Sequence, residues 1–82
     1  MTFDIVKLAG FAYSILRKYK ITTQVAKFMK INMRLLKRYV GEYKHAWEMC
    51  GKIDHALAHI NQDARREIQE KREEMYREEE YD

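Results

Sequence analysis

Apolar residues recur every three or four positions along most of the chain, which is the period of a buried helix face. In residues 3–19 the stripe is Ile5, Leu8, Ala9, Ala12, Ile15, Leu16 and Tyr19. Phe3, Val6, Phe11 and Tyr13 widen that sector, so this helix is expected to be covered on two sides, with Thr2 capping its start. A second pattern, in residues 22–41, reads as two short helices around a tight turn. Val25, Ala26 and Met29 make one buried stripe, Leu36 and Tyr39 face back toward it, and Ala26 is small where the helices must cross. Thr22 or Thr23 can N-cap the first of these helices and Asn32 the second, because such side chains accept bonds from unpaired N–H groups of a first turn. From Leu36 the spacing alternates between four and three through Val40, Tyr43, Trp47 and Cys50, then Ile53, Leu57, Ile60, Ala64, Ile68 and Met75. This coiled-coil-like stripe must fold back on the first helix or pair with a second copy. Gly41 and Gly51 are its expected interruptions, since an internal glycine costs about 1 kcal/mol against alanine.

The expected class is therefore all-α: a three-helix core carrying a long C-terminal amphipathic helix. With no proline and three glycines, a strand-rich fold with many tight turns is excluded. The 82 residues make one domain, divided at 1–50 and 51–82 into a globular front and a helical oligomerisation element with an acidic tail. A core this small makes a partner subunit a reasonable expectation. Asp4 and Lys7 near the start, and Arg17, Lys18 and Lys20 at the end, argue against a membrane span or a signal peptide in the first helix. One cysteine, Cys50, forms no internal disulfide, and a cytoplasmic location fits.

Charge separates the two halves. Residues 1–52 hold eleven Lys/Arg against three Asp/Glu, and residues 53–82 hold five against ten. A basic front with an acidic end suits a polyanion binder. The helix beginning after Asn32 carries Met33, Arg34, Lys37 and Arg38 on its outer face, with no carboxylate before Glu42. In the tail, Glu67–Lys71 and Glu73–Arg77 are expected i,i+4 pairs.

Residues 22–41 resemble the helix-turn-helix of DNA-binding proteins, with Val25, Ala26, Met29, Ile31, Leu36 and Tyr39 at the apolar positions. The turn position usually held by glycine is Lys30, where a left-handed backbone costs a non-glycine about 1 kcal/mol. The resemblance implies double-stranded DNA as the partner, with the second helix in the major groove. It implies Met33, Arg34, Lys37 and Arg38 facing DNA. Arg34 is the candidate for a bidentate bond to guanine, with Lys37 or Arg38 sharing that role or holding phosphate. Asn32 stands at the start of that helix, and Thr22, Thr23 and Gln24 are placed to bond phosphate. Lys18, Lys20, Lys27 and Lys44 add charge at the rim. A homodimer through the C-terminal helix would present two such helices to a two-fold site, as in small transcription regulators of bacteria and phages. Two other functions suit the same pattern: a DNA-packaging subunit like the small terminases of phages, and an interaction module that binds a host protein. The acidic segment from Asp63 could also lie across the basic face as an autoinhibitor.

No enzyme motif is present: there is no phosphate-cradling glycine loop, nucleophile elbow or zinc-finger spacing. His55, His59 and Asp63, four apart, would share one face of a continuous helix, but beside Leu57 and Ile60 they read as polar flank rather than a metal site. No cofactor is implied. Tyr43 and Trp47 are expected in the core or a dimer seam, Cys50 as a small apolar filler, and Tyr76 and Tyr81 exposed.

Overall fold

The first helix, α1 (Ile5–Lys18), begins where Asp4 accepts a hydrogen bond from the Lys7 N–H at 3.0 Å. The cap is thus Asp4, two residues after the expected Thr2, which lies outside the residues 3–80 described by the computed structural model. Six α1 residues are buried: Ile5, Leu8, Ala9, Ala12, Ile15 and Leu16. The helix closes with Lys20 in the left-handed region, φ 57°. The Ile21 N–H donates back to the Leu16 carbonyl at 3.0 Å and the Lys20 N–H to that of Arg17 at 3.1 Å. This is a Schellman closure with lysine where glycine is usual.

Ile21 ends one helix and starts the next. It is the N-cap of α2 (Thr22–Phe28) and, being apolar, offers no side-chain cap. The expected threonine cap is therefore absent. Thr22 and Thr23 already lie inside the helix, because the closure of α1 runs directly into α2. α2 ends as α1 does: Lys30 stands at φ 57°, Ile31 N–H bonds the Ala26 carbonyl at 2.9 Å and Lys30 N–H that of Lys27 at 3.1 Å.

α3 (Met33–Val40) is capped by Asn32, whose Oδ1 accepts from the Arg34 and Leu35 N–H groups at 2.8 and 3.2 Å. Leu36 and Val40 bury its inner edge, with Tyr39 half-buried beside them. The chain turns at Gly41 as expected, and α4 (Tyr43–Ile60) follows. Gly51 does not interrupt α4, which runs straight through it. The break comes at Asn61, in extended backbone at φ −157° and ψ 103°. Its Oδ1 accepts from Ala64 N–H at 3.1 Å, and so starts α5 (Gln62–Glu80).

That break decides what covers the long stripe. α5 returns antiparallel along α1: Glu67 meets Lys18 and Tyr19 at one end, and Tyr76 stacks on Phe3 at the other, ring centroids 4.4 Å apart. Ala64, Ile68 and Met75 are buried in the same cluster as residues from the other four helices. From Ile53 onward the stripe thus packs within one chain, and the division expected at 50/51 falls in the middle of α4. Arg65 ties α5 to α4 by bonding both carboxylate oxygens of Asp54, at 3.2 and 3.3 Å. Neither ion pair expected within α5 is present: Glu67 reaches across to α1, and Lys71 instead meets Glu74, at 3.8 Å. All described elements are helices, and none is long and apolar enough to cross a membrane.

Candidate nucleic-acid interface

α2, a four-residue turn and α3 bring two exposed surfaces side by side. α3 is anchored by Leu36 and Val40, which are buried in the cluster that also contains Val25 and Ala26 of α2. With that edge inward, Met33, Arg34, Leu35, Lys37 and Arg38 are exposed. Thr23 and Gln24 are exposed on α2, and Thr23 Oγ1 donates to Met33 Sδ at 3.1 Å, linking the starts of the two helices. Thr22 faces the other way. It is 7 % exposed, so its hydroxyl does not join the outer surface where the sequence had put it. The reason is periodicity: Thr22 stands three and four residues before Val25 and Ala26, on the buried stripe.

Cations dominate this region. From Arg17 to Val40 there are eight Lys/Arg and no Asp/Glu. Among the described residues no carboxylate lies within ion-pair distance of Arg34 or Lys37. Arg38 Nε meets Glu42 Oε1 at 3.2 Å, and the other Glu42 oxygen faces His45 at 3.5 Å. These contacts are solvated, so Arg38 is only lightly held. Lys44 is exposed at the start of α4. Lys18 is not a free rim cation, since its ammonium sits 2.9 Å from Glu67. The acidic helix α5 packs on α1 and α4 and touches neither α2 nor α3, so in this structure it does not cover the basic surface.

Phe28 was not among the expected site residues, yet it is exposed at the end of α2. It stacks on His59 with centroids 5.5 Å apart and lies 6.1 Å from His55. The two histidines thus flank an aromatic ring. The break at Asn61 puts Asp63 on a different helix, and among the described residues no three candidate ligands cluster. An exposed phenylalanine leaves no trace in a periodic pattern, so only the fold reveals this contact.

Away from this surface, Tyr43 and Trp47 are each 65 % exposed on α4, so of the two places expected for them, core or dimer seam, the core is not where they lie. The inward positions of α4 are taken by Ala46, Met49, Ile53, Ala56 and Leu57. Trp47, Cys50, Gly51 and Asp54 form one wall of a cleft of about 200 Å³, closed by Phe3, Arg72 and Tyr76. Burial pushes the Cys50 thiol up to about 11, so it is a poor nucleophile at neutral pH.

Compared with known proteins, the chain matches no family model, no curated protein and no solved structure.

Proposed function

We propose that this chain binds double-stranded DNA, with α3 in the major groove and α2 lying across the phosphate backbone, in the manner of small bacterial and phage transcription regulators. One observation carries the reading. Arg34, Lys37 and Arg38 stand exposed on a short helix whose opposite edge is locked into the core and whose first turn is capped by Asn32. A rigid cationic helix free of covering protein suits a polyanion with a groove of about 12 Å. Arg34, in the first turn, is the residue assigned to a base edge, where a bidentate guanidinium contributes about 1–3 kcal/mol of discrimination. Lys37, Arg38, Thr23, Gln24 and Lys44 hold phosphates, and the exposed Met33 is suited to an apolar contact such as a thymine methyl.

The test is fluorescence anisotropy with a random duplex pool, followed by selection of preferred sequences. Arg34→Ala is expected to lower affinity for the selected site roughly tenfold or more. Lys37→Ala is expected to weaken all duplexes alike and to reduce the salt slope by about one. Both variants should keep wild-type helical circular dichroism, because neither side chain is buried. A wild-type chain that binds no duplex at low salt ends this reading.

A further inference from the structure

We propose that the cleft between α1, α4 and α5 binds a small aromatic carboxylate, its ring held between Trp47 and Tyr76 and its carboxylate on the Arg72 guanidinium. Three helices build this cleft. Trp47, Cys50 and Gly51 of α4 form one wall, Arg72 and Tyr76 of α5 the other, and the buried Ile5 and Leu8 of α1 its floor. Phe3 stacks on Tyr76 and extends the second wall. Trp47 is 65 % and Tyr76 46 % exposed, so both rings keep aromatic surface in solvent. The space is about 200 Å³. An apolar cavity of about 150 Å³ takes a benzene ring, so this one suits a single ring with a short acidic arm. Gly51 keeps the space open. Glycine disfavours a helix interior, yet Gly51 lies within α4, and a Cβ built there meets nothing within 4 Å. Packing inside the chain therefore does not require glycine here, whereas a long side chain on this wall would fill the cleft.

Charge sets the chemistry of the occupant. The cleft carries two ionic side chains, Asp54 and Arg72. Asp54 is already partnered: its carboxylate accepts from Arg65 at 3.2 and 3.3 Å and from Gln69 at 3.4 Å. The exposed Arg72 is not. Among the described residues no carboxylate lies within ion-pair distance of it, and Asp54, in the same cleft, stays with Arg65. The Arg72 charge nevertheless reaches the inner wall, where burial raises the Cys50 thiol and Arg72 pulls it the other way. A planar guanidinium with free donors beside an apolar floor suits a carboxylate, which it binds through two parallel hydrogen bonds. Asp54 limits the charge of the occupant, because its carboxylate repels a second anionic group. A monocarboxylate therefore fits better than a dianionic phosphate ester, and Arg72 disfavours an amine. This site lies away from α2 and α3 and does not require duplex binding.

The test is isothermal titration calorimetry with phenylacetate, combined with emission from Trp47, the single tryptophan. Phenylacetate is expected to bind with a Kd of roughly 1 mM or tighter and to shift Trp47 emission to the blue as its ring covers the indole. The neutral phenethyl alcohol should bind weaker by roughly tenfold or more, for want of the charged pair. Acetate, which has no ring, should leave the emission unchanged. Arg72→Gln should remove the preference for phenylacetate and leave binding of the alcohol as it was, a split that a merely structural role for Arg72 does not produce. Gly51→Leu should abolish binding of both compounds while raising the melting temperature of the free chain, since leucine is the better helix former. Loss of binding is thereby separated from loss of fold. A wild type that gives neither heat nor an emission change with phenylacetate at about 10 mM overturns the proposal. So does equal affinity for the acid and the alcohol, or phenylacetate binding that Arg72→Gln and Gly51→Leu leave intact.

Discussion

Lys20 and Lys30 adopt the same left-handed backbone, φ 57° at both, and each closes the helix before it with the same pair of hydrogen bonds. The two closures bracket α2 and set its position between α1 and α3. Ile21 and Ile31, the residues that follow, return their N–H groups to Leu16 and Ala26 and bring apolar side chains to the core. A lysine in this conformation carries about 1 kcal/mol of backbone strain that glycine does not. Lys20→Gly and Lys30→Gly are therefore expected to stabilise the chain, each by up to about 1 kcal/mol. Lys30→Val is expected to destabilise it, because a branched Cβ tolerates positive φ poorly. Urea denaturation of the three variants checks the prediction, and a Lys30→Gly variant weaker than wild type contradicts it.

Asn32 links stability to the proposed interface. Its side chain takes two N–H groups at the start of α3, and one of them belongs to Arg34. Asn32→Ala is expected to cost about 1 kcal/mol and to fray the turn that carries Arg34. Asn32→Asp should retain the cap and restore stability, while placing a negative charge next to the basic row. The pair separates two roles: alanine lowers the melting temperature, whereas aspartate lowers duplex affinity at wild-type stability. Equal melting temperatures for Asn32→Ala and wild type would show that the cap does not matter.

α5 is part of the core and not an appendage. Ala64, Ile68 and Met75 are buried in the cluster common to all five helices. Ile68→Ala is expected to cost about 2 kcal/mol or more. Deleting residues 61–82 should abolish the cooperative thermal transition, since it uncovers α1 and α4 along their length. This expectation runs against simple relief of autoinhibition, in which the shortened chain would stay folded and bind duplex more tightly. Thermal circular dichroism of the truncated chain distinguishes the two outcomes.

The contact of Glu67 with Tyr19 and Lys18 makes stability depend on pH at both extremes. Hydrogen bonds from the Tyr19 hydroxyl, then from the Lys18 ammonium, hold the Glu67 carboxyl below its ordinary value of 4.5. A depressed folded value contributes stability above the ordinary one, and that stability is lost as pH falls through the folded value. Lys18 and Tyr19 are raised above 10.5 and 10.0, each first by its hydrogen bond with Glu67. Their contribution is present below those values and disappears as pH rises through the higher folded ones. Glu67→Gln should therefore lower the melting temperature most between about pH 5 and 9, with the difference from wild type shrinking at either extreme. A difference that stays constant from acid to alkali would mean that the carboxylate charge is irrelevant.

Local patterns in the chain were sufficient for several features. The three- and four-residue spacing marked α1 and its buried residues. Asn32 announced the start of α3, and Lys30 marked a left-handed turn, because caps and turn conformations depend on a few neighbouring atoms. The exposure of Arg34, Lys37 and Arg38 followed from their phase against Leu36. The same logic misplaced the end of α4. Residues Ile53 to Met75 keep an unbroken apolar rhythm across Asn61, and a rhythm records that a face is buried without recording what buries it. Only the folded chain decided that α5 doubles back on α1, that Glu67 leaves its own helix for Lys18 and Tyr19, and that Trp47 stays outside while Thr22 goes in. Those outcomes depend on contacts between residues far apart in sequence, where competing faces of similar apolarity are separated by shape and by space, quantities that a one-dimensional pattern does not contain.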